Sequence, residues 1–268
     1  MNMQDNDAIE TKNNSIIWLS NAIVAIITVV VLVVLLSLQP WSGSPITEVN
    51  SFRLSTSASY EEGDMAAETL QEMAYISPAR THIVINPEGE NQEIIIIGGN
   101  LYANDERYVT DTSVGMSILM SVAAIIPSEE HTKMTMSQLV EVEELAIERV
   151  SGVTCWHYRG SMDLIGNIEE QIASLDPEQE NYEIILESLK AQIEMMQEIT
   201  TIIDVWVGRD DGFVRQIRYE AQVPSNYSES PAVSIQSMKY YDINKSIIIE
   251  EPLDSNGELL PGWYRSTF

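Results

Sequence analysis

Hydrophobic and polar positions along six short stretches in the first half of the chain follow patterns that are typical of β-strands. Pro, Gly and Asn lie between these stretches, and the connections are short. Both features predict an antiparallel meander. The predicted strands are residues 51–59, 66–76, 81–86, 93–99, 100–104 and 107–111.

The pattern then changes to a helical one. Residues 114–126 are apolar almost all round and stop at Pro127, which predicts a short helix buried on several sides. Apolar residues recur at helical spacing again over 164–175 and over 182–196. Further strands are predicted at 139–150, 153–162, 204–208, 214–220, 232–243 and 246–252.

The last predicted helix has a start signal of its own. Asp176 is placed to act as its N-cap, with Pro177 at the first helical position and Gln179 completing a capping box. The overall order is many strands, a helix, two strands, two helices and more strands. This order predicts an α+β fold with one antiparallel sheet and the helices gathered on one face.

An N-terminal apolar segment predicts a membrane anchor. Residues 16–38 carry no charge and would form a helix of about 34 Å at roughly 1.5 Å per residue, enough to cross a bilayer core of about 30 Å. The preceding tail, 1–15, lacks the basic start of a cleaved signal peptide. We therefore predict a tail, an uncleaved single-pass span in the cell membrane, a linker at 39–48 and an extracytoplasmic domain at 49–268.

The charge balance restricts the classes of partner. The chain has 41 Asp and Glu against 14 Lys and Arg, a formal net charge of −27. Binding to nucleic acid requires cationic side chains that displace counterions from phosphates, so no nucleic-acid partner is predicted. Attraction to an anionic membrane surface is disfavoured for the same reason.

Asp210 and Asp211, in "GRDDGF", are the most conspicuous candidates for chemistry. The residues on both sides of the pair follow the two-residue period of a β-strand, and Gly212 can adopt a positive φ. Together these features predict a hairpin turn. A calcium loop would need further oxygen ligands at regular spacing. Acid and base catalysis would need one carboxylate in an apolar setting that raises its pKa. The sequence favours a turn over a metal or catalytic pair.

No other motif indicates catalysis, a metal or a cofactor. His82, His131 and His157 lack the close pair spacings of zinc sites, and Cys155 lies two residues from His157 without a second such pair in the sequence. The chain has no Gly-x-Ser-x-Gly motif and no glycine-rich phosphate loop. The sequence predicts a protein that is not an enzyme and has no cofactor.

Six segments carry a resemblance to a known family. They are "SFRLSTSAS", "EMAYISPARTHIVI", "EIIIIGGNLYAND", "VSGVTCWHYRGSMD", "VWVGRDDGFVRQIRYE" and "YYDINKSIIIEEP". In this order, over roughly residues 47–253, they resemble the LppX/LprG-type lipoprotein family of the LolA-like superfamily. The resemblance implies a curved antiparallel half-barrel, with helices covering its concave face and an apolar cavity between them. It also implies binding and movement of acyl lipids or acylated molecules outside the cytoplasmic membrane.

One feature departs from that family. Its familiar members are anchored through an acylated cysteine that follows a signal peptide, whereas the only cysteine here, Cys155, lies inside a predicted strand. The predicted anchor is therefore the apolar helix itself. Its linker of about ten residues reaches at most about 35 Å from the bilayer. This length disfavours free shuttling and leaves local extraction, local hand-over and sensing of lipid open.

Apolar residues of the helices and one strand are the predicted lining of the cavity. Flexible Met side chains suit a surface that accommodates varied acyl chains, although the same residues would also serve to fill an ordinary core. The expected lining residues are Met116, Leu119, Met120, Ile126, Ile168, Ile172, Leu189, Ile193, Met196 and Trp206.

The predicted partners are therefore a lipid or acylated molecule, the membrane and, as a further candidate, a membrane protein. Two alternatives stay open at this point. One is a lipid-sensing or structural interaction module without transport activity, and the other is an esterase.

Overall fold

The computed structural model describes residues 49–78, 80–85, 91–110, 113–179, 181–224 and 231–268. The predicted tail, membrane span and linker lie outside these ranges, so they stay predictions. Among the helices within these ranges, none combines the length and apolar character needed to cross a bilayer.

Strands in the described part of the chain form one open, curved sheet in which every neighbouring pair is antiparallel. The strand order is β11-β5-β4-β3-β2-β1-β10-β9-β8-β7-β6, so the pairing of β1 with β10 joins the two halves of the chain. The bounds are β1 Ser51–Glu62, β2 Met65–Ile76, β3 Arg80–Ile85, β4 Gln92–Ile97, β5 Asn100–Ala103, β6 Leu139–Val150, β7 Val153–Met162, β8 Thr200–Gly208, β9 Val214–Val223, β10 Ala232–Tyr241 and β11 Tyr264–Thr267.

The α-helices interrupt the strands at two points. Two of them stand between β5 and β6, and two between β7 and β8. Their bounds are α1 Ser113–Ala124, α2 Glu129–Ser137, α3 Gly166–Ser174 and α4 Tyr182–Met196. The α+β class and the single antiparallel sheet predicted from the sequence are confirmed.

Two predicted strands are wrong. In place of the strand at 107–111, residues Glu106–Tyr108 form a 3₁₀ turn whose first backbone groups are capped by the Asp105 carboxylate, which accepts from the Arg107 N–H. The apolar run at 246–252 is not a strand either. Its side chains cover a face of the sheet, so their hydrophobicity serves packing rather than strand pairing.

The predicted start of the last helix is also wrong. The Asp176 carboxylate accepts from the Glu178 N–H in an isolated turn, and α4 begins only at Tyr182. Helix α2 was not predicted, because its sequence "EEHTKMTMS" is mostly polar. Its N-cap is nevertheless a regular one, since the Ser128 hydroxyl accepts from the His131 N–H.

Register assigns each strand residue to one of two faces, because paired residues point to the same side and successive residues to opposite sides. On one side, the Phe52 ring contacts the rings of Tyr75 and Tyr240, with centroids 5.3 and 5.9 Å apart. Helix α2 lies on that side, since the His131 ring meets the Tyr240 ring edge-on. We call this side the helix-facing side and the opposite one the outer side.

The C-terminal segment covers the outer side near β2 to β5. Ile249 forms a buried cluster with Ala74, Ile95 and Tyr102. The Tyr102 hydroxyl also donates to the Glu251 carboxylate at 2.6 Å. The incorrectly predicted strand at 246–252 therefore belongs to this cover. Further apolar side chains that pack against the cluster are Ile76, Ile97, Ile247, Leu259 and Trp263.

Candidate ligand-binding site

A strip across the middle of the helix-facing side is only partly buried. In one row, Thr56 pairs with Gln71 and with Met238, and Met238 pairs with Ile217. All four side chains keep partial contact with solvent, although β1, β9 and β10 are interior strands of the sheet. Helices packed tightly over these strands would leave no such exposure.

The residues of the next row across the strands are also only partly buried. Ala58, Thr69 and Gln236 are neighbours across the strands and are also partly exposed. We define the central strip as the two rows, namely Thr56, Ala58, Thr69, Gln71, Ile217, Gln236 and Met238.

Buried residues close the central strip at both ends. Leu54 and its partner Tyr240 lie at one end, and Tyr60 with its partner Ser234 lies at the other. The outer side of the same strand is different, because Ser55, Ser57 and Ser59 follow one another there. The more apolar residues of β1 thus occupy the side on which helix α2 lies, as expected for a surface that has to be covered.

The predicted lining residues of the helices differ in burial. Ile126, Ile168 and Leu189 are buried, and Leu119, Ile172, Ile193 and Met196 are partly buried. Met120 is 54% exposed, and the structure describes only the backbone of Met116. Helices α3 and α4 contact each other, which brings two of the predicted groups together. That these residues line a cavity stays a prediction.

Trp206 lies apart from the other predicted lining residues. It follows Val205 along β8 and, by strand alternation, points to the outer side. Its ring stacks on the His157 imidazole with centroids 4.2 Å apart, and its indole N–H donates to the Glu148 carboxylate at 2.9 Å. Trp206 therefore belongs to a polar network rather than to the central strip.

That network surrounds a buried carboxylate. Asp204, 1% exposed, accepts from His157 Nε2 at 2.8 Å and from Arg159 Nε at 2.8 Å, while Arg218 lies 3.7 Å away. His157 Nδ1 lies 3.1 Å from the Glu148 carboxylate on the opposite edge of the ring. Both ring nitrogens thus face carboxylates, and every group named here is engaged. We therefore interpret the network as structural.

The network shifts the pKa of its carboxylates. Burial opposes a charge on Asp204, but the hydrogen bonds from Arg159 and His157 outweigh it and lower the pKa of this carboxyl. The indole N–H of Trp206 lowers the pKa of Glu148, with a further contribution from His157. The sequence holds one unused signal, since Asp204 lies in the mostly apolar strand β8 and a buried polar group requires a partner.

The Asp210 and Asp211 pair lies in a hairpin, as predicted. Gly208 N–H donates to the Phe213 carbonyl at 2.8 Å, and Gly212 has a φ of 71°. The two aspartates differ, however, in their exposure and in the partners of their side chains. The Asp210 side chain is 82% exposed, whereas Asp211 forms an ion pair with Arg215, whose side chain is only 8% exposed.

This difference gives a prediction. Asp210→Asn should change the free energy of unfolding by less than about 0.5 kcal/mol, as surface substitutions usually do. Asp211→Asn should destabilise by about 1–3 kcal/mol, because it removes the charged partner of a buried guanidinium. Denaturant unfolding of the two matched variants checks this, and equal midpoints would contradict it.

Within the described residues, no group of three or more His, Cys, Asp or Glu side chains is arranged to hold a metal ion. Cys155 is a buried free thiol, and burial raises its pKa.

No protein-family model and no curated protein matches the chain. Among solved structures it is similar to the lipoprotein LppX from Mycobacterium tuberculosis, at 10% identity and a TM-score of 0.38, covering 75% of this chain and 90% of that one. It is also similar to LprF from Mycobacterium bovis, at 8% identity and a TM-score of 0.38. This match covers 76% of this chain and 90% of LprF.

A LolA superfamily protein from Nitrosomonas europaea is a third similar structure, at 8% identity and a TM-score of 0.23. The match covers 75% of this chain and 88% of that protein. These proteins include members of the group that the ordered segments resemble. The similarity concerns the fold alone.

Proposed function

We propose that the protein binds an acyl chain, or another elongated apolar molecule, along the central strip between the sheet and the helices. The observation that carries this proposal is the partial exposure of Met238 and Ile217 on interior strands of the sheet, on the side where helix α2 lies. In a filled core, such side chains would be enclosed by protein atoms. Here they are available to a ligand.

The side chains of the central strip suit a flexible chain. Thr56 and Ala58 are small and leave room above the sheet, and Met238 can adapt its conformation to the shape of a ligand. Burial of one methylene contributes about 0.8 kcal/mol, so ten methylenes supply several kcal/mol even after the cost of ordering the chain. Shape and hydrophobicity, rather than charge, would provide the affinity.

Exposed apolar residues on the helices support the same function. Met120 on α1 is 54% exposed, and Ile184 and Ile185 on α4 are 67% and 37% exposed. Ile184 and Ile185 are adjacent in α4, and adjacent exposed apolar side chains are candidates for contact with an apolar partner. We propose that these helices contact lipid during uptake or release.

The predicted anchor would hold the domain at the cell membrane, where we propose that it acts. With residues 16–38 in the cell membrane and a linker at 39–48, the domain would stay close to the bilayer on its extracytoplasmic side. It would take up lipid locally and pass it to a nearby acceptor, for which a membrane protein is a candidate.

A second candidate is an interaction module, favoured by the edge strand β6. Its residues Val140, Val142 and Ile147 are 40%, 46% and 49% exposed, and β6 lies at one edge of the sheet. An edge strand can pair with an extended segment of another protein. Irregular register between β6 and β7 weakens this candidate, because bulges protect edges from pairing.

Photolabelling tests the main proposal. The full-length protein is incubated with a fatty acid that carries a photoreactive group on its chain, irradiated and analysed by peptide mass spectrometry. We expect labels in β1, β9 and β10 at residues of the central strip. Labels confined to residues 16–38 or to the outer side of the sheet would exclude the strip as the binding surface.

The predicted anchor has a separate test. Because a span of about 30 Å is held by the hydrocarbon core, we expect full-length protein to remain with membranes after an alkaline wash. Release of the protein, or recovery of a mature chain that starts near Ser44, would show that residues 16–38 are not a permanent anchor.

A further inference from the structure

Among the buried polar atoms on the helix-facing side that have no hydrogen-bond partner in the described part of the chain, two lie next to each other. They are the hydroxyl of Tyr240, a residue with 0% exposure, and Nδ1 of His131. The two rings meet edge-on, with centroids 6.2 Å apart and an angle of 75° between their planes. The two atoms therefore belong to one place in the fold, where α2 covers β10.

This place lies at the end of the central strip. Tyr240 is two residues from Met238 along β10, on the same side of the sheet, and is paired with Leu54. His131 lies in the first turn of α2, where its backbone N–H already donates to the Ser128 hydroxyl at 2.9 Å. Only its ring is left to contact a ligand.

Buried polar groups in proteins almost always have a hydrogen-bond partner, so a ligand atom or a water molecule is expected beside these two. Burial raises the pKa of Tyr240 and lowers the pKa of His131 to about 4, so both side chains are uncharged at neutral pH. A carboxylate buried here would lack a countercharge from these two residues. An uncharged oxygen can accept their hydrogen bonds without that cost.

We propose that Tyr240 and His131 form a polar anchor that donates hydrogen bonds to an uncharged oxygen, such as an ester carbonyl, of the molecule bound in the central strip. This inference rests on the proposed function and extends it. The hydrocarbon part of the ligand lies along Met238 and Thr56, and its ester group lies under α2. The anchor thereby sets the direction in which the ligand enters the strip.

The test uses the full-length protein and two probes, methyl palmitate and a saturated hydrocarbon of matched length. Affinity is measured by displacement of a fluorescent apolar dye. The wild type should bind the ester about tenfold more tightly than the hydrocarbon, the factor given by roughly one net hydrogen bond. Tyr240→Phe should lose this preference and keep its affinity for the hydrocarbon.

Tyr241→Phe is the matched control. Tyr241 is the next residue of β10, points to the outer side and donates its hydroxyl to Glu72, so this variant should keep the preference for the ester. If the wild type bound neither probe, the proposed function would fail. If both probes bound equally well to the wild type, or if Tyr240→Phe kept the preference, only the anchor would fail.

A second measurement needs no variant, in case Tyr240→Phe does not fold. The infrared band of a ¹³C-labelled ester carbonyl is recorded with the ester bound to the wild-type protein. A lower frequency than that of the same ester in hexadecane indicates the expected hydrogen bonds. An unchanged frequency in the bound ester would overturn the anchor.

Discussion

Asp204→Ala should destabilise the protein by about 3–5 kcal/mol, the effect of removing one partner from a buried charged network. The substitution removes the acceptor of His157 and Arg159 at once and leaves the Arg159 guanidinium without its carboxylate partner. Chemical denaturation at neutral pH measures the loss. Asp210→Ala, at an exposed position of the adjoining hairpin, should stay within about 0.5 kcal/mol of the wild type. A loss below about 1 kcal/mol for Asp204→Ala would contradict the structural role of the network.

The same carboxylate gives a pH dependence of defined sign. Its pKa in the folded state is lowered from the ordinary value of 3.8, so its contribution to stability is complete above that value. The contribution is lost as the pH falls from about 3.8 through the lower folded pKa. The stability difference between the wild type and Asp204→Asn should therefore shrink in this acid range. A difference that stays constant there would show that the charge of Asp204 is unimportant.

Thr56→Trp should strongly weaken ligand binding while the protein remains folded. Thr56 stands in the central strip, where an indole ring would occupy the space that we assign to the acyl chain. We expect a loss of at least tenfold in the affinity for a fluorescent fatty acid, or about 1.4 kcal/mol. Circular dichroism checks that the fold is retained.

Ser57→Trp is the control for this substitution. Ser57 is the next residue of β1, is also partly buried and points to the outer side. The same indole ring placed there should leave the affinity unchanged. Equal losses in the two variants would indicate a general effect on the sheet rather than occupation of a binding site.

Local pattern was sufficient for much of the fold. The strand-like runs at 51–59 and 66–76 predict β1 and β2 to within a few residues. The apolar run that became α1 was equally clear. The run at 246–252 was misread, because an apolar stretch covering a sheet face has the same composition as a buried strand. Helix α2 was not predicted because its mostly polar sequence has no helical periodicity of apolar residues. Its N-cap residue, Ser128, is the one helix signal that its sequence contains.

The site required information that the sequence does not contain. Alternation shows that Val205 and Trp206 face opposite sides, but only the position of α2 identifies which side the helices cover. Asp204 and His157 are 47 residues apart in the chain, so their pairing depends on the register of β7 and β8. The central strip is defined by incomplete burial, which depends on where the helices lie over the sheet rather than on any motif.

The central claim is that an acyl chain occupies the central strip, and native mass spectrometry of the protein purified from its own cells tests it most directly. The account predicts a population whose mass exceeds that of the polypeptide by one lipid, which is released by solvent extraction and is absent from Thr56→Trp but present in Ser57→Trp. A protein of polypeptide mass alone, which after delipidation also takes up no fluorescent fatty acid, would contradict the account.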